Sequence, residues 1–341
     1  MTYSPPLISI ILPTYNGSKY IRRSIESCLN QDYCNIELII VNDASTDNTP
    51  DIIKEYQHLD RRVKVIHHSS NQKLPAALNT GFSASKGEYL TWTSDDNMYT
   101  LSAITKMFNF LRKNTKYSMV YANYTKIDDS AKSTPVRNPY LTDILFGNPI
   151  GACFLYTRAV YQDIGNYCTN SFLAEDYEYW ARVFERFEIA HLDSDLYRYS
   201  CHSSSLTASY PANTILERTS SAREKLLRVF ISNPTKAELE SFLKLNRSQE
   251  FQYQDLLCIS RLLEKLIDHH NEKKISTLEF ATIISQKQKS VFRVSAIKHG
   301  PSLWPIYWKF KYRQRFSFKE LLFFLSLLRS WLIKNINESK N

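Results

Sequence analysis

Three short polar segments in the first hundred residues carry side chains that could bind a charged ligand. They lie at residues 13–17, 42–47 and 94–97, and each directly follows an apolar run. The second and third contain closely spaced aspartates, among them Asp43 and Asp95. Carboxylates are the ligands that hard divalent cations prefer in proteins. The segments therefore indicate a site for a cation and for the anionic group that it neutralises.

The same segments lack the glycine-rich loops that bind phosphates by themselves. Residues 13–18 contain one glycine where a dinucleotide site requires G-x-G-x-x-G, and the chain has no G-x-x-x-x-G-K-[ST]. A nucleoside diphosphate bound here needs its charge neutralised in another way. Asp95, with Asp96 beside it, is suited to hold a divalent cation that bridges the two phosphates. The alternative for Asp95 and Asp96 is that they belong to an ordinary turn after a strand. For Asp43 the alternative is a capping role at the start of a helix, and for Asp47 capping is the better interpretation.

Apolar patterning predicts the elements that position these segments. Residues 7–12 and 36–41 are short apolar runs rich in β-branched side chains, typical of strands buried on both faces of a parallel sheet. Between them, Ser18 is expected to cap a helix. After residue 41, a second helix is expected with Thr49 as its N-cap and Pro50 as its first residue. Further strands are predicted at residues 63–66 and 88–93, with a helix at 76–85. This alternation indicates an open, doubly wound α/β sheet, which binds ligands beyond the carboxyl ends of its strands.

The rest of the chain is less regular. Helices are predicted at residues 101–113 and 176–186, and strands at 117–124, 153–157 and 196–200. From about residue 213 to 288 the sequence is helix-like and nearly free of glycine. We therefore expect an α/β domain at residues 1–210, a helical segment at 211–288 and a basic, aromatic tail at 289–341.

The formal net charge of +9 belongs to the tail rather than to the body of the chain. Residues 287–341 contain twelve Lys and Arg against two acids, so the remainder is close to neutral.

A hydrophobic content of 43% excludes disordered and collagen-like chains, and no stretch reaches the about 20 apolar residues of a membrane-spanning helix. The cysteines lack a C-x-x-C pattern and are expected to be reduced thiols, and His67-His68 is expected to be a surface pair. We therefore expect a cytoplasmic protein.

The motifs in this order resemble glycosyltransferase family 2, the inverting nucleotide-sugar transferases of the GT-A fold. The resemblance rests on ISIILPTYNG, IELIIVNDASTDNT, LPAALNTGFSASKGEYLTWTSDDN, GACFLYTRAVYQDIGNY, AEDYEYWARV and YRYSCHSSSLT, spread over roughly residues 7–207. It implies a Rossmann-like, mostly parallel central sheet with flanking helices, followed by a helical C-terminal extension. It also implies transfer of a sugar from a nucleotide donor, a UDP-sugar, to a saccharide or lipid-linked acceptor in cell-surface polysaccharide assembly.

The resemblance assigns the nucleotide to the loops after the first strands and to the helix at residues 76–85. The nucleotide-binding residues that it implies are Pro13, Thr14, Tyr15, Asn16, Asp43, Asn79, Ser94 and Asp95. The carboxylate of Asp43 is suited to this role, because it can accept a hydrogen bond from the imide N–H of uracil, a donor that cytosine lacks.

The family's metal motif, D-x-D, matches Thr93-Ser94-Asp95, so a threonine replaces the first acid. Asp95 is the implied ligand for a divalent cation, Mg²⁺ or Mn²⁺. Asp96 and His202 are candidates for further ligands, although a lone histidine is more often a packed or solvent-facing side chain.

The family's catalytic base corresponds to Asp176 in the pair Glu175-Asp176, with Glu175 on the acceptor side. The implied mechanism is a single displacement in which Asp176 takes the proton of the attacking hydroxyl, and the two roles should push the pKa values of base and metal ligand apart. Without the resemblance, a charged first helical turn explains the pair as well. The alternative function is a non-catalytic scaffold that binds a sugar nucleotide or a membrane; a nucleotidyltransferase would need a more basic first loop.

Aromatic and basic side chains alternate in the tail, as at Trp308, Lys309, Phe310 and Lys311. This pattern favours an interfacial anchor at the inner face of the cell membrane. The alternative is packing against the body of the protein or against a second subunit in a homodimer. The chain has no recognised nucleic-acid-binding motif, and we expect no nucleic-acid partner.

Overall fold

The structure is a computed structural model that describes residues 4–137, 141–245, 253–268 and 291. The chain divides into two compact units, Met1–Ala222 and Arg223–Asn341. The first unit is built from strands and helices, and the described part of the second is helical. The predicted tail at 289–341 lies outside the described residues except for residue 291.

The first unit starts as a regular alternation of strands and helices. These elements are β1 (Ile8–Thr14), α1 (Ile21–Leu29), β2 (Ile36–Asn42), α2 (Thr49–Leu59), β3 (Val63–His67), α3 (Leu74–Ala84), β4 (Tyr89–Trp92), β5 (Met98–Tyr99) and α4 (Ala103–Lys113). The later elements are β6 (Met119–Asp128), β7 (Ser133–Val136), β8 (Phe154–Thr157), α5 (Arg158–Ile164), α6 (Glu175–Arg186), β9 (Ile189–Cys201) and α7 (Ala212–Arg218). The predicted strands are confirmed, whereas β5, β7 and α5 were not predicted.

Within the described residues, the strands form one sheet in the order β3-β2-β1-β4-β8-β6-β9-β5, with β7 paired to β6. The neighbours β3, β2, β1 and β4 are all parallel. β8 is antiparallel to β4 and β6, and β9 is parallel to β6. The sheet is therefore parallel in its first half and mixed in its second. The carboxyl ends of the parallel strands meet at one edge, where the polar segments begin.

The central strands are the rigid support of that edge. All seven residues of β1 and all seven of β2 are buried, as expected of strands covered by helices on both faces. Ile21, Ile25 and Cys28 of α1 join their core with no exposed surface. The first turn of this helix differs from the prediction, because Tyr20 rather than Ser18 is its N-cap and no side chain caps it. The Ser18 amide instead donates to Asp47 (3.1 Å).

A buried glutamate, Glu37, joins three parallel strands at their amino ends. Its carboxylate accepts hydrogen bonds from Ser9 Oγ of β1 (2.6 Å), Lys64 Nζ of β3 (2.5 Å) and the Lys86 amide (2.6 Å). Burial raises the pKa of Glu37, but the bonds from Lys64, Ser9 and Lys86 outweigh it, so the pKa lies below its usual value. A carboxylate of lowered pKa stabilises the fold above the unfolded pKa of about 4.3, and the contribution is lost as the pH falls through the folded value.

We expect Glu37→Gln to lower the free energy of unfolding at pH 7 by about 1 to 3 kcal/mol, because it weakens charged hydrogen bonds in a buried place. The difference from the unaltered protein should shrink as the pH is lowered below 4. Urea unfolding at pH 7 and at low pH measures the loss of stability and its dependence on pH. Glu55→Gln is the control, because the Arg22–Glu55 pair is about half exposed. An equal loss in both variants would contradict the role of Glu37.

The described part of the second unit is helical. It contains most of α8 (Ser220–Phe230), and then α9 (Lys236–Lys244) and α10 (Tyr253–Asp268). A capping box between Thr235 and Glu238 begins α9, and Glu238 also pairs with Lys265 of α10 (2.9 Å). In the described part of the chain, no helix combines the length and hydropathy needed to cross a membrane.

Candidate active site

The polar loops after β1 and β2 are joined to each other. The Asn16 amide donates to Ser45 Oγ (2.9 Å), and Asn16 Oδ1 accepts from the Thr46 amide (2.8 Å). Asp47 adds a further link, because its two oxygens accept from the amides of Ser18 (3.1 Å) and Thr49 (3.0 Å). The N-cap of α2 is Asn48 and not Asp47, so Asp47 is not the predicted cap; its carboxylate instead ties the two loops together. The two loops form one fixed wall at the carboxyl edge.

Asp43 binds the loop after β3 to this wall. Its Oδ1 accepts from His68 Nδ1 (2.7 Å) and the Gln72 amide (2.8 Å), and its Oδ2 accepts from the Lys73 amide (2.9 Å). His68 also contacts Thr80 Oγ1 through Nε2 (2.9 Å). The expectation of a surface histidine pair is wrong for His68, whose side chain is 7% exposed. The sequence could not reveal this, because the contact depends on a chain reversal between β3 and α3.

Backbone strain is concentrated around the same edge. Five non-glycine residues with positive φ occur among the described residues, and four of them flank the site: Asn16 (55°), Ala44 (62°), Lys73 (73°) and Leu173 (76°). Lys73 also has ψ 163°, a combination that is otherwise nearly confined to glycine and costs about 1 to 3 kcal/mol. The hydrogen bond from its amide to Asp43 helps to hold it there. Conformations of this cost persist where the surroundings fix the chain, and functional sites are the common place for them.

Asp95 follows β4 and faces the first loop. Thr14 Oγ1, at the end of β1, donates to Asp95 Oδ2 (2.5 Å). Burial raises the pKa of Asp95 to about 7, the bond from Thr14 opposes the rise, and the neighbouring Asp96 adds to it. Gly17 leaves the room for this contact, because a Cβ at residue 17 would overlap Asp95 Oδ2 and lie 2.7 Å from Thr14 Oγ1.

We expect Gly17→Ala to displace the Asp95 carboxylate and to weaken binding of a divalent cation and a nucleoside diphosphate by at least tenfold, an estimate based on the sensitivity of metal sites to their immediate supports. Gly147→Ala is the control, because a Cβ there meets nothing within 4 Å. Calorimetric titration with UDP and Mn²⁺ measures the difference. Equal affinities in the two variants would show that Gly17 has no such role.

Asp96 is held from several sides, and one of its oxygens has no partner. His202 Nε2 donates to Asp96 Oδ2 (3.0 Å), and the Asp96 carbonyl accepts from Arg23 Nη2 (2.8 Å) and Ser200 Oγ (2.5 Å). The His202 ring lies against Tyr20, 4.5 Å between centroids. Asp96 Oδ1 is buried and has no hydrogen-bond partner among the residues that the structure describes. Burial raises the pKa of Asp96, against the effect of His202. His202, predicted as a metal ligand, orients this carboxylate in the structure.

The chemistry of this pair fits a divalent cation. Two neighbouring carboxyl groups have raised pKa values, and an unpartnered oxygen, Asp96 Oδ1, would gain most from a positive charge nearby. Thr93, which replaces the first acid of the family motif, is 1% exposed and bonded to Tyr197 Oη (2.5 Å), so it belongs to the core. No group of three or more His, Cys, Asp or Glu side chains is arranged for metal binding in the described residues. Mg²⁺ typically takes one or two carboxylates and completes its coordination with phosphates and water.

The second acidic pair stands at the start of α6. Glu175 is 5% exposed, and its buried Oε2 has no hydrogen-bond partner in the described part of the chain. Asp176 Oδ2 accepts from Asn148 Nδ2 (2.8 Å), and its Oδ1 accepts from the Tyr177 amide (2.6 Å). Burial raises the pKa of both carboxyl groups, and the proximity of Asp176 adds to the rise at Glu175. The strained residue Leu173 lies just before them.

Two tyrosines that the sequence did not single out connect the acidic pairs. Burial is the largest cause that raises the pKa of Tyr199, and the charges of Asp96 and Asp176 both contribute to the rise. Tyr199 therefore lies within electrostatic reach of both pairs. Its ring is near that of Tyr124 (5.9 Å), whose pKa is raised to about 12 by burial, with Asp176 again contributing. The two acidic pairs thus flank a common, tyrosine-lined region.

The remaining predicted nucleotide-binding residues differ in their surroundings. Tyr15 is 49% exposed, whereas Pro13 is buried at the end of β1. The Ser94 carbonyl accepts from Ser24 Oγ of α1 (2.8 Å). Both ends of the Asn79 side-chain amide bond the backbone of Tyr167. Nδ2 donates to the Tyr167 carbonyl (2.9 Å), and Oδ1 accepts from the Tyr167 amide (2.7 Å). Its observed contacts tie α3 to the segment before α6.

Comparisons with known proteins show the family of the chain. A model of the family described as Glycosyl transferase family 2 matches residues 9–175. An uncharacterized glycosyltransferase of Haemophilus influenzae is 30% identical over 221 residues, which cover 60% of this chain and 68% of the relative. Other curated relatives, from Rickettsia felis and Rickettsia bellii, are longer, and the chain spans 33% and 27% of their lengths.

Solved structures with the same fold are also found. Staphylococcus aureus TarS 1–349 in complex with UDP-GlcNAc has a TM-score of 0.57 at 16% identity and covers 84% of this chain and 90% of its own. The mannosyltransferase PcManGT from Pyrobaculum calidifontis, in complex with GDP-Man and Mn²⁺, has a TM-score of 0.51 at 15% identity. The match covers 98% of this chain and 88% of the mannosyltransferase chain. At these identities the likeness shows the fold, GT-A, and no more.

Proposed function

Because the chain belongs to glycosyl transferase family 2, we propose that it moves a sugar from a nucleotide-sugar donor to a hydroxyl of a saccharide or lipid-linked acceptor, with inversion at the anomeric carbon. The observation that carries the proposal is the end of β9, where Ser200 Oγ donates to the Asp96 carbonyl and the adjacent Tyr199 is also within electrostatic reach of Asp176. The pair Asp95-Asp96 is suited to binding a cation, and the pair Glu175-Asp176 is suited to accepting a proton. Assembly of cell-surface polysaccharide is the proposed setting.

The donor is proposed to be a UDP-sugar held at the carboxyl edge. Exposed Tyr15 offers a ring for stacking against the base. The Asp43 carboxylate is fixed by three donors, and it keeps acceptor capacity for the imide N–H of uracil. The complex of TarS with UDP-GlcNAc supports a uridine nucleotide, and the complex of PcManGT with GDP-Man makes guanosine the competing base.

Asp95 and Asp96 would hold Mg²⁺ or Mn²⁺, with His202 orienting Asp96. When bound, the cation supplies positive charge for the diphosphate that leaves. The protein itself contributes the fixed carboxylates, and it contributes Arg23, whose guanidinium secures the Asp96 backbone. The Mn²⁺ in PcManGT supports a cation in this fold.

Asp176 is the proposed base. The acceptor hydroxyl attacks the anomeric carbon from the face opposite the diphosphate, the C–O bond to the diphosphate breaks, and the hydroxyl proton passes to a carboxylate oxygen of Asp176. The Glu175 side chain has a buried, unpartnered oxygen and a raised pKa, which favours its protonated form. A protonated carboxyl can donate a hydrogen bond, so Glu175 is proposed to bind an acceptor oxygen beside the base.

A screen of nucleotide sugars tests the proposal. We expect one UDP-sugar to bind more tightly with Mn²⁺ or Mg²⁺ than with EDTA, and to be hydrolysed slowly when no acceptor is present. Calorimetry and release of UDP measure the two effects. Absence of both binding and hydrolysis for all UDP- and GDP-sugars would overturn the proposal.

The second candidate is a non-catalytic scaffold that binds a sugar nucleotide. The observation that favours it is Thr93, which stands in the place of an acid and is bonded to Tyr197 in the core. Such a scaffold would bind the nucleotide sugar in the same screen but would not turn it over with any acceptor. Turnover that depends on Asp176 would exclude it.

The location of the protein is a separate prediction from sequence. We expect a cytoplasmic protein that attaches to the membrane surface through the tail at residues 289–341, where basic side chains alternate with aromatic and aliphatic ones. Truncation before Lys309 should abolish sedimentation with anionic liposomes and leave donor binding unchanged. Undiminished liposome binding would contradict the anchor, and conversion of a dimer to a monomer would indicate the alternative, a subunit contact.

A further inference from the structure

A turn before β8 presents Asn148 to the acidic pair at the start of α6. Asn148 Nδ2 donates to Asp176 Oδ2 (2.8 Å), and Asn148 Oδ1 accepts from the Gly151 amide (3.3 Å). Both ends of the amide are thus in use. Asn148 itself lies outside the sequence motifs that indicated functional residues.

The contact with Gly151 decides which way the amide faces. A backbone N–H can only donate, so the oxygen of Asn148 must lie towards Gly151 and the NH₂ group must lie towards Asp176. Asp176 Oδ2 is therefore an acceptor in this bond. Its other oxygen accepts from the Tyr177 amide (2.6 Å). Two fixed donors thus define the plane of the carboxylate and favour its charged form.

The turn itself has little freedom. Gly151 has a φ of 64°, in the left-handed region that favours glycine, and a Cβ there would lie 2.7 Å from Tyr124 Cε1. The chain continues into β8, whose residues Phe154, Leu155 and Tyr156 have no exposed surface. Asn148 is held by a strand in the core on one side and by its own hydrogen bonds on the other.

We propose that Asn148 is a positioning residue that holds the Asp176 carboxylate in place as the proton acceptor of the reaction. The inference rests on the proposed function, in which Asp176 is the base. Asn148 acts through Asp176 and is not itself assigned a contact with the reacting atoms.

Among the described residues, the other titratable groups that the charge of Asp176 affects do not supply this help. They are Glu175 on its own helix, Tyr124 on β6, Tyr199 on β9 and Tyr167 in the segment before α6, and the charge of Asp176 contributes to raising the pKa of each. All four are neutral or negative groups. Burial raises the pKa of Asp176, and the Asn148 side chain and the Tyr177 amide act in the opposite direction.

The test compares pH profiles of turnover for Asn148→Ala and Asn148→Asp. Activity through a base rises with pH through the pKa of that base. Removal of the Asn148 donor should raise this pKa, so the acidic limb of the kcat profile should move by about 1 to 2 pH units towards higher pH in Asn148→Ala. Asn148→Asp keeps an acceptor for the Gly151 amide, but it places a second carboxylate beside Asp176. The repulsion between the two charges should move the acidic limb further than in Asn148→Ala. Turnover should recover at high pH, while the Kd for UDP stays unchanged.

Asn114→Ala is the matched control, because the Asn114 amide bonds only backbone atoms at the end of α4. It should leave the profile in place. In Asp176→Asn, adding Asn148→Ala should cause no further loss of turnover, since the positioned group is absent. An unshifted limb in both Asn148 variants, or losses that multiply in the double variant, would overturn the inference. If Asp176→Asn keeps full turnover, the base assignment fails instead, which separates the two proposals.

Discussion

Asp176→Asn is expected to lower turnover by about 100- to 10,000-fold, the range that positioned general bases contribute. The variant keeps the shape of the side chain and removes its ability to accept a proton at neutral pH. Because the proposed mechanism gives Asp176 no contact with the donor nucleotide, the affinity for UDP should remain within about twofold of the unaltered protein, as expected of a group that acts in the transition state. Steady-state rates of UDP release and calorimetric Kd values measure the two effects.

The control for this variant is Asp163→Asn on α5. Asp163 pairs with Arg186 at the surface, where ion pairs contribute little. It should change neither turnover nor affinity. If Asp176→Asn lost affinity for UDP and turnover together, Asp176 would belong to the donor site and the proposed division between the acidic pairs would be wrong.

Asp95→Asn is expected to remove most of the metal-dependent part of donor binding. The change leaves an amide where a carboxylate accepts the bond from Thr14 Oγ1. Outer partners of metal ligands already account for about 10- to 100-fold in metal affinity, so loss of a ligand carboxylate should cost at least this much. Calorimetric titration with UDP, in Mn²⁺ and in EDTA, measures the difference between the two conditions for each protein.

Uridine provides the control for Asp95→Asn, because it carries the base and ribose without phosphates. Its affinity should be the same in the variant and in the unaltered protein. An equal loss for uridine and UDP would indicate that the variant disturbs the first loop through Thr14 rather than a cation. An unchanged gain in UDP affinity on addition of Mn²⁺ would show that Asp95 is not a metal ligand.

Much of the fold could be predicted from sequence, because the informative signals are local. The runs that became β1 and β2 are apolar at nearly every position, and α2 begins at Thr49, one residue earlier than predicted, with Asn48 as its N-cap. β7 is exposed and contains Pro135, so neither alternation nor a buried run marks it as a strand. In the sequence Glu37 only interrupts an apolar run. In the structure its carboxylate is buried and joins β2 to β1 and β3 through Ser9 and Lys64.

The candidate site was less predictable, because its geometry depends on residues far apart in the chain. The resemblance to the family indicated Asp43, Asp95 and Asp176. In the structure Asp43 and Asp95 directly follow strands at the carboxyl edge of the sheet, Asp176 lies in the first turn of α6, and each carboxylate is held by hydrogen bonds. The bond from Asn148 to Asp176 crosses 28 positions, and the bond from His202 to Asp96 crosses 106. Nothing in the types or the spacing of these residues indicates such contacts.

The pairing of β9 has a consequence for the order in which the protein acquires its structure during synthesis. The strands that carry Asp43 and Asp95 are complete within the first hundred residues, but Ser200, which holds Asp96 and Arg23, belongs to the end of β9. Arg23 and Ser200 are 177 positions apart. Contacts of such separation form late, because long loops must close first. A ribosome-bound chain that ends before β9 can therefore build the parallel sheet, yet it holds an unfinished site until roughly two hundred residues have emerged.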